Sequence, residues 1–125
     1  MMVLCDTNII IEIFKGNLKT IELIDKIGLA NISISSITAM ELLYGALNKR
    51  ELNKIKKNIN SLKIIDFNED ISERALLLIG SYAKSHNLQI PDAIIAATAL
   101  FYETPLLTYN LKDFKYIKNI DIYSF

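Results

Sequence analysis

Cysteine and histidine are almost absent from this chain, which has one of each among its 125 residues. A single cysteine excludes a disulfide framework, and it also excludes a metal cluster built from cysteine ligands. Cys5 lies in a short apolar stretch, where we expect it to be a small buried residue on a strand. His86 falls at the end of a predicted helix, where histidine suits the helix dipole, and we favour that role over a catalytic one.

An excess of charge of either sign is also missing, since 14 Lys and Arg residues balance 14 Asp and Glu residues. The overall charge therefore does not indicate a nucleic-acid-binding protein. Locally, residues 49–63 carry six basic residues and one acid, and residues 66–73 carry four acids. We favour a solvated helix face followed by an acid-rich helix start, with a basic strip that holds a phosphate backbone as the alternative.

Long apolar runs are missing as well. The longest strongly apolar stretch without a charge is AIIAATALFY at residues 93–102, which is too short to span a bilayer. The N-terminus lacks a basic region and Asp6 interrupts its first apolar run, so no signal peptide is predicted. The composition, 51% hydrophobic and 22% charged, is that of a globular protein. We expect one domain over residues 1–125, located in the cytoplasm and without a membrane partner.

Apolar and amphipathic segments alternate along the chain in a way that predicts strands and helices in turn. The predicted strands are residues 2–5, 31–35, 63–67, 105–109 and 120–124. The predicted helices are residues 8–15, 18–27, 37–62 with a break near 45–48, 70–86 and 90–103. This alternation predicts an α/β fold with a mostly parallel sheet.

Several polar residues follow the predicted strands or begin the helices beside them. Asp6 follows the first strand, Glu41 lies early in the helix after the second strand, and Asp92 begins the helix before the strand at 105–109. Asn110 and Asp113 come directly after that strand. Because ligands bind at the carboxyl ends of the strands in such folds, we expect these side chains to converge on one edge.

Each of the three acids also has a purely structural interpretation. Asp6 is a favoured residue for a helix N-cap, Glu41 completes the capping-box pattern TAME, and Asp92 suits the positive end of a helix dipole. Together these interpretations are weaker, because Asp6 lies in an apolar context that a surface cap does not need. Asp92 begins a helix that is apolar nearly all round. Such a helix is expected to be buried, and it would then hold the Asp92 carboxylate in a fixed position.

Clustered carboxylates without histidine or cysteine ligands indicate a hard cation, Mg²⁺ or Mn²⁺. Carboxylate-bound ions of this kind act on phosphates by activating water and stabilising the leaving oxygen. The pattern therefore favours phosphodiester hydrolysis.

Four stretches of the sequence, taken in order, resemble the PIN domain, and more closely the VapC-type toxins of bacterial and archaeal toxin–antitoxin modules. They are VLCDTNIIIEIF, ISSITAMELLYGAL, IPDAIIAATAL and PLLTYNLKDFKYI. The resemblance runs from about residue 3 to the C-terminus. It implies a three-layer α/β/α sandwich around a short, mostly parallel sheet. It also implies a Mg²⁺- or Mn²⁺-dependent endoribonuclease that blocks translation by cutting tRNA or rRNA.

The resemblance further implies partners. Members of this family usually form homodimers and are held inactive by a small cognate, VapB-like antitoxin, which wraps the toxin and can insert an arginine into the acidic site. Relatives often hold the antitoxin at the helical segments before residue 63. The apolar segment at residues 75–83 is a candidate dimer face, although we favour a core role for it.

Residue by residue, Asp6, Glu41 and Asp92 match the family's acidic residues and would ligate the metal directly or through water. Many relatives carry a fourth acid where this chain has Asn110, and Asp113 is the alternative source of that charge. Three further residues match polar positions that orient the acids or the water: Thr7, Asn8 and Thr108.

Three other functions have requirements that can be compared with this sequence. A phospho-acceptor receiver needs an adjacent acidic pair at the first site and a lysine after a late strand, and neither is present. A phosphatase with an aspartyl nucleophile needs an acid at position 8, which is Asn8. The remaining alternative is a catalytically weak or inactive PIN domain that binds a partner or RNA.

Overall fold

The computed structural model describes residues 2–125, and its centre is a short parallel sheet. The strands within these residues are β1 (Val3–Cys5), β2 (Ile32–Ser35), β3 (Lys63–Ile65) and β4 (Leu106–Leu107). Their order in the sheet is β3-β2-β1-β4, and every neighbouring pair is parallel. The predicted parallel sheet and its first four strands are confirmed, with each strand shorter than predicted.

The prediction of a fifth strand over residues 120–124 is wrong. This segment forms only one isolated parallel bridge, between Ile122 and Leu106. Two backbone hydrogen bonds frame it, from the Leu106 N–H to the Asp121 carbonyl and from the Tyr123 N–H to the Leu106 carbonyl. β4 is only two residues long, and the segment pairs with it at Leu106 alone.

Helices fill the connections between the strands. They are α1 (Thr7–Phe14), α2 (Leu18–Ile27), α3 (Ser36–Tyr44), α4 (Lys49–Ile59), α5 (Glu69–His86) and α6 (Ile90–Phe101). Short 3₁₀ turns cover Leu29–Asn31 and Leu111–Asp113. The predicted break near residues 45–48 is confirmed, since Asn48 caps α4 by accepting a hydrogen bond from the Glu51 N–H at 2.9 Å. None of the helices in residues 2–125 is long and apolar enough to cross a membrane.

Alternating side chains of the strands build two cores, one on each face of the sheet. Val3 and Cys5 pack with residues of α1 to α4, whereas Leu4 packs with residues of α5 and α6. Both faces of β1 and β2 are buried, as expected for parallel strands covered by helices on both sides. The predicted three-layer α/β/α arrangement is therefore confirmed.

The strand order reverses at β1, because β2 and β3 are added on one side of it and β4 on the other. The connections among β1, β2 and β3 run across one face of the sheet, and the connection to β4 runs across the other. A crevice opens at the carboxyl edge of such a sheet where the connections diverge. Asp6 directly follows β1 and Thr108 directly follows β4, so both residues lie at this crevice.

Candidate active site

Asp6 is held at the junction of β1 and α1. Its backbone is extended, its Oδ1 accepts a hydrogen bond from the Thr7 N–H at 2.8 Å, and its own N–H donates to the Leu107 carbonyl. Only 5% of the residue is exposed. Asp6 therefore does cap α1, as its structural interpretation predicted, and it does so from the crevice.

The second oxygen of the same carboxylate is bound from β4. The Thr108 hydroxyl donates to Asp6 Oδ2 at 2.8 Å, and it accepts from the Asn110 N–H at 2.9 Å. Because the Asn110 N–H occupies a lone pair of the hydroxyl oxygen, the hydroxyl proton is directed at Asp6. Burial raises the pKa of Asp6, the bonds from Thr108 and Thr7 act against that rise, and nearby acids add to it.

Burial also raises the pKa of the Cys5 thiol, which precedes Asp6 in the chain. Burial, followed by the charge of Asp6, raises the pKa of Cys5 to about 12. The thiol therefore stays protonated at neutral pH and is unsuited to nucleophilic or metal-ligand chemistry. The expectation that Cys5 is a small buried residue is confirmed, since it is 0% exposed.

Glu41 reaches the crevice from α3 through a short hydroxyl chain. Its Oε1 lies 2.8 Å from Thr7 Oγ1, which lies 3.0 Å from Thr38 Oγ1. A carboxylate only accepts, so the Thr7 hydroxyl is the donor in its bond to Glu41, and it also lies within hydrogen-bond distance of the Thr38 hydroxyl. The chain Thr38–Thr7–Glu41 thus ties α3 to the start of α1.

The capping-box interpretation of Glu41 is wrong. The N-cap of α3 is Ser35, whose Oγ accepts from the Ile37 N–H, so Thr38 lies inside the helix. The helix begins earlier than predicted because β2 passes directly into it at Ser35. Glu41 is thereby free of any role at the helix start and bonds across to Thr7.

Asp92 lies in the first turn of α6, after Pro91, and is half-buried. Burial, and then the charges of Asp6, Asp113 and Glu41, raise its pKa to about 7. Every one of these influences favours the protonated form. The acids predicted to converge are thus close enough to perturb one another, although they come from four different parts of the chain.

The two candidates for the fourth acidic position, Asn110 and Asp113, differ in exposure and in charge. Asp113 is half-buried at the end of the 3₁₀ turn, and its charge is among those that raise the pKa of both Asp6 and Asp92. Asn110 is exposed and contributes through its backbone, which bonds Thr108 and the Asp113 N–H. The charge at this position therefore comes from Asp113, while its role as a ligand stays a prediction.

Asn8 connects α1 to the loop after β4. Its Oδ1 accepts a 3.4 Å hydrogen bond from the Tyr109 N–H. Within the described residues its Nδ2 is buried and has no hydrogen-bond partner. Buried polar groups are rarely left unpaired, so Asn8 keeps a free donor two residues from the central carboxylate.

The acids suit a hydrated divalent ion better than a dehydrated one. No group of three His, Cys, Asp or Glu side chains in residues 2–125 is arranged to hold a metal directly. Mg²⁺ commonly keeps several waters and uses only one or two carboxylates. An all-oxygen donor set in which burial and neighbouring acids raise the pKa values of Asp6 and Asp92 fits that mode of binding.

Thr38 was not among the predicted site residues. It is fully buried and orients the hydroxyl that bonds Glu41. The sequence carried a signal, the TAME pattern, but that pattern equally describes a capping box. Only the true start of α3 separates the two interpretations.

The chain is similar to known proteins over nearly its whole length. Residues 3–120 match the PIN domain family, and the chain belongs to that family. It is 30% identical to Ribonuclease VapC1 of Rickettsia felis, over 98% of this chain and 95% of that protein. Membership in the PIN family sets aside the receiver and phosphatase alternatives.

Solved structures show the same likeness. The DNA-bound VapBC complex of Salmonella typhimurium contains a chain that matches with a TM-score of 0.85 and 26% identity, over 98% of this chain and 97% of that one. A toxin–antitoxin complex from Klebsiella pneumoniae matches with a TM-score of 0.79 and 32% identity, over 98% and 99% of the two chains. The resemblance to VapC-type toxins is thus confirmed in sequence and in fold.

The raised pKa of Asp92 predicts how stability depends on pH in protein without divalent ions. The pKa is 3.8 for an ordinary aspartate and about 7 in the fold, so the folded state binds this proton more tightly. The contribution of Asp92 to the free energy of unfolding is therefore full below about pH 4 and is lost as the pH rises to about 7. Asp92→Asn removes this loss, so its stability relative to wild type should increase between pH 4 and pH 7.

Urea denaturation of both proteins across this pH range measures the difference. Using the difference cancels the pH dependence of all other groups that the substitution leaves unchanged. A difference that is constant with pH, or that decreases, would contradict the raised pKa.

Proposed function

We propose that this protein is a Mg²⁺- or Mn²⁺-dependent endoribonuclease, the toxin of a VapBC-like toxin–antitoxin module. The observation that carries the proposal is the group of acids around buried Asp6, at the point where the strand order reverses. Burial, and then the charges of the neighbouring acids, raise the pKa of Asp92, and a divalent cation would offset the repulsion between these charges. The name Ribonuclease VapC, borne by relatives that match nearly the whole chain, supports the same reaction.

Asp6 and Asp92 are the proposed direct ligands, with Glu41 and Asp113 acting through water. The two hydrogen bonds to Asp6 leave lone pairs free, since a carboxylate has about four acceptor sites. A bound Mg²⁺ would supply charge stabilisation and an activated water for phosphodiester hydrolysis. Thr108 and Thr7 fix the orientation of Asp6, which is the usual role of residues behind a metal ligand.

For the substrate we propose tRNA or rRNA, whose hydrolysis would inhibit translation, and for the compartment the cytoplasm that holds them. A groove of about 760 Å³ leads from Glu41 along α4, where Arg50 and Lys54 line it. Lys56 and Lys57 are exposed on the same helix. Basic side chains along such a groove can hold the phosphate backbone while the acids hold the ion.

The same groove is the proposed site for a VapB-like antitoxin. Its apolar lining includes Ile11, Phe14 and Ile55, and the first two are 39% and 36% exposed. Exposed apolar residues within a polar rim are typical of a protein-binding surface. An antitoxin helix seated there would exclude RNA, and an arginine extended from it toward Glu41 would neutralise the acids.

We also propose a homodimer. Within residues 75–83 only Ala75 is buried, so the favoured core interpretation is wrong for most of the segment, and Leu76 and Leu77 are 72% and 71% exposed on α5. A zero net charge leaves little repulsion between two copies. The two leucines are the proposed centre of the contact.

A second candidate function is a catalytically weak PIN domain that binds its partner or RNA without efficient cleavage. Two observations favour it. The family resemblance implies an acid where this chain has Asn110, and the described acids do not form a ready three-ligand group.

Asp6→Asn should abolish cleavage while leaving the fold intact, because it removes the central charge but keeps the shape of the side chain. We expect a loss of more than about 100-fold, beyond that typical of residues behind the ligands. The measurement is cleavage of total tRNA and rRNA by purified protein with Mg²⁺, Mn²⁺ or EDTA. The matched control is Asp66→Asn, which changes an exposed aspartate outside the site.

Discrete fragments that require both the ion and Asp6 would support the nuclease. Cleavage that persists in EDTA or in Asp6→Asn would contradict it. Folded wild type, freed of antitoxin, that binds RNA without cutting it would favour the second candidate.

Phe14→Glu should weaken antitoxin binding by about 30-fold or more, because it places a charge in the apolar part of the groove. The partner for the assay is a candidate VapB-like antitoxin, sought as a small reading frame beside this chain's gene and titrated by fluorescence anisotropy. Leu18→Glu is the control, since Leu18 is 73% exposed and does not line the groove. Equal affinities for both variants would place the antitoxin elsewhere.

Leu77→Glu should convert the dimer to a monomer, because the charge would be buried without a partner. Light scattering after size-exclusion chromatography gives the mass of each protein. Leu18→Glu again serves as the control, on a helix that covers the opposite face of the sheet. A wild type that is monomeric at all concentrations would contradict the proposed dimer.

A further inference from the structure

Three aromatic side chains form a fixed cluster at the end of α5. The His86 ring stacks on Tyr116 with centroids 4.1 Å apart and an angle of 14° between the planes. Tyr82 meets both rings edge-on, with centroids at 5.6 Å from His86 and 5.1 Å from Tyr116. This is the geometry of a stacked pair supported from the side.

The cluster lies beside the acids. His86 is joined to α6 by only three residues, and Asp92 lies in the first turn of that helix. Tyr116 follows the 3₁₀ turn that ends in Asp113. After burial, the charges of Asp92 and Asp113 are the largest influences that raise the pKa of Tyr116. The stacked rings therefore border the Asp92 side of the crevice.

The His86 ring is exposed yet held in place. Its Nδ1 lies 2.8 Å from Ser85 Oγ, and Tyr82 and Tyr116 contact its ring. Tyr82 is itself anchored, because its hydroxyl accepts a hydrogen bond from the Lys118 N–H. An exposed side chain that is already immobile loses little further entropy when a ligand stacks on it.

We infer that the His86–Tyr116 stack, supported by Tyr82, is a platform for one unpaired RNA base next to the phosphodiester held at the acids. Proteins that read single-stranded RNA stack splayed bases on aromatic side chains, including histidine. The acids can hold an ion and a phosphate, but they offer no surface to a base. The inference rests on the proposed ribonuclease function and assigns the base a place within that site.

Binding of a fluorescein-labelled single-stranded RNA tests the platform without cleavage. All proteins carry Asp6→Asn, so that RNA is bound and not cut. His86→Ala should weaken binding by about 5- to 150-fold, the range for loss of one stacked base. His86→Phe keeps an aromatic face and should bind nearly as tightly as His86 itself. Tyr102→Ala is the control, since it removes an exposed aromatic side chain from the far end of α6.

A second set of RNAs locates the base. Each RNA lacks the base of one nucleotide and keeps its ribose and phosphate. With His86 present, removal of the stacked base should weaken binding at one position. With His86→Ala the same removal should have no further effect, because the two changes break a single contact.

Each contrary outcome has its own meaning. Equal affinities of His86→Ala and His86 proteins, from a chain that cleaves RNA with its acids intact, would overturn the platform and leave the nuclease standing. Equal losses in His86→Ala and His86→Phe would assign the effect to a ring nitrogen and overturn stacking. A loss of antitoxin affinity without a loss of RNA affinity would assign the rings to that partner. A wild type that neither binds nor cleaves RNA would overturn both proposals.

Discussion

The carboxylate of Asp6 joins two parts of the chain that are far apart in sequence. One oxygen is bound by the first N–H of α1 and the other by the Thr108 hydroxyl at the end of β4. These two bonds span the parallel β1–β4 pair, where the strand order reverses. The position of the site therefore follows from the strand order, which places the crevice between the ends of β1 and β4.

Around this carboxylate the protein gathers like charges, which costs stability. Burial and the neighbouring acids raise the pKa values of both Asp6 and Asp92. Such clusters are typical of functional sites, where a local electrostatic conflict is resolved when the ligand binds. The bond from the Thr7 hydroxyl to Glu41 and the bond from the Thr108 hydroxyl to Asp6 hold two of these acids in place.

Three surfaces with different chemistry meet at this site. The acids lie at the centre, the groove with Arg50 and Lys54 runs along α4, and the stacked rings of His86 and Tyr116 border the Asp92 side. The acids suit a cation, the basic groove suits a phosphate backbone, and the stacked rings suit a base. The groove also carries apolar side chains, so RNA and a protein partner would compete for one entrance.

The sequence by itself determined the parallel α/β class and the convergence of Asp6, Glu41 and Asp92. The alternation of apolar and amphipathic segments specifies the class, and parallel strands necessarily bring their carboxyl ends to one edge. It did not determine which pattern Thr38 belongs to, because a helix start that shifts by a few residues leaves the letters TAME unchanged. It also did not determine that residues 120–124 form a single bridge, since that depends on the length of β4. The stack of His86 on Tyr116 was decided only by the tertiary structure, because no periodicity links side chains that meet through the packing of a helix end against a loop.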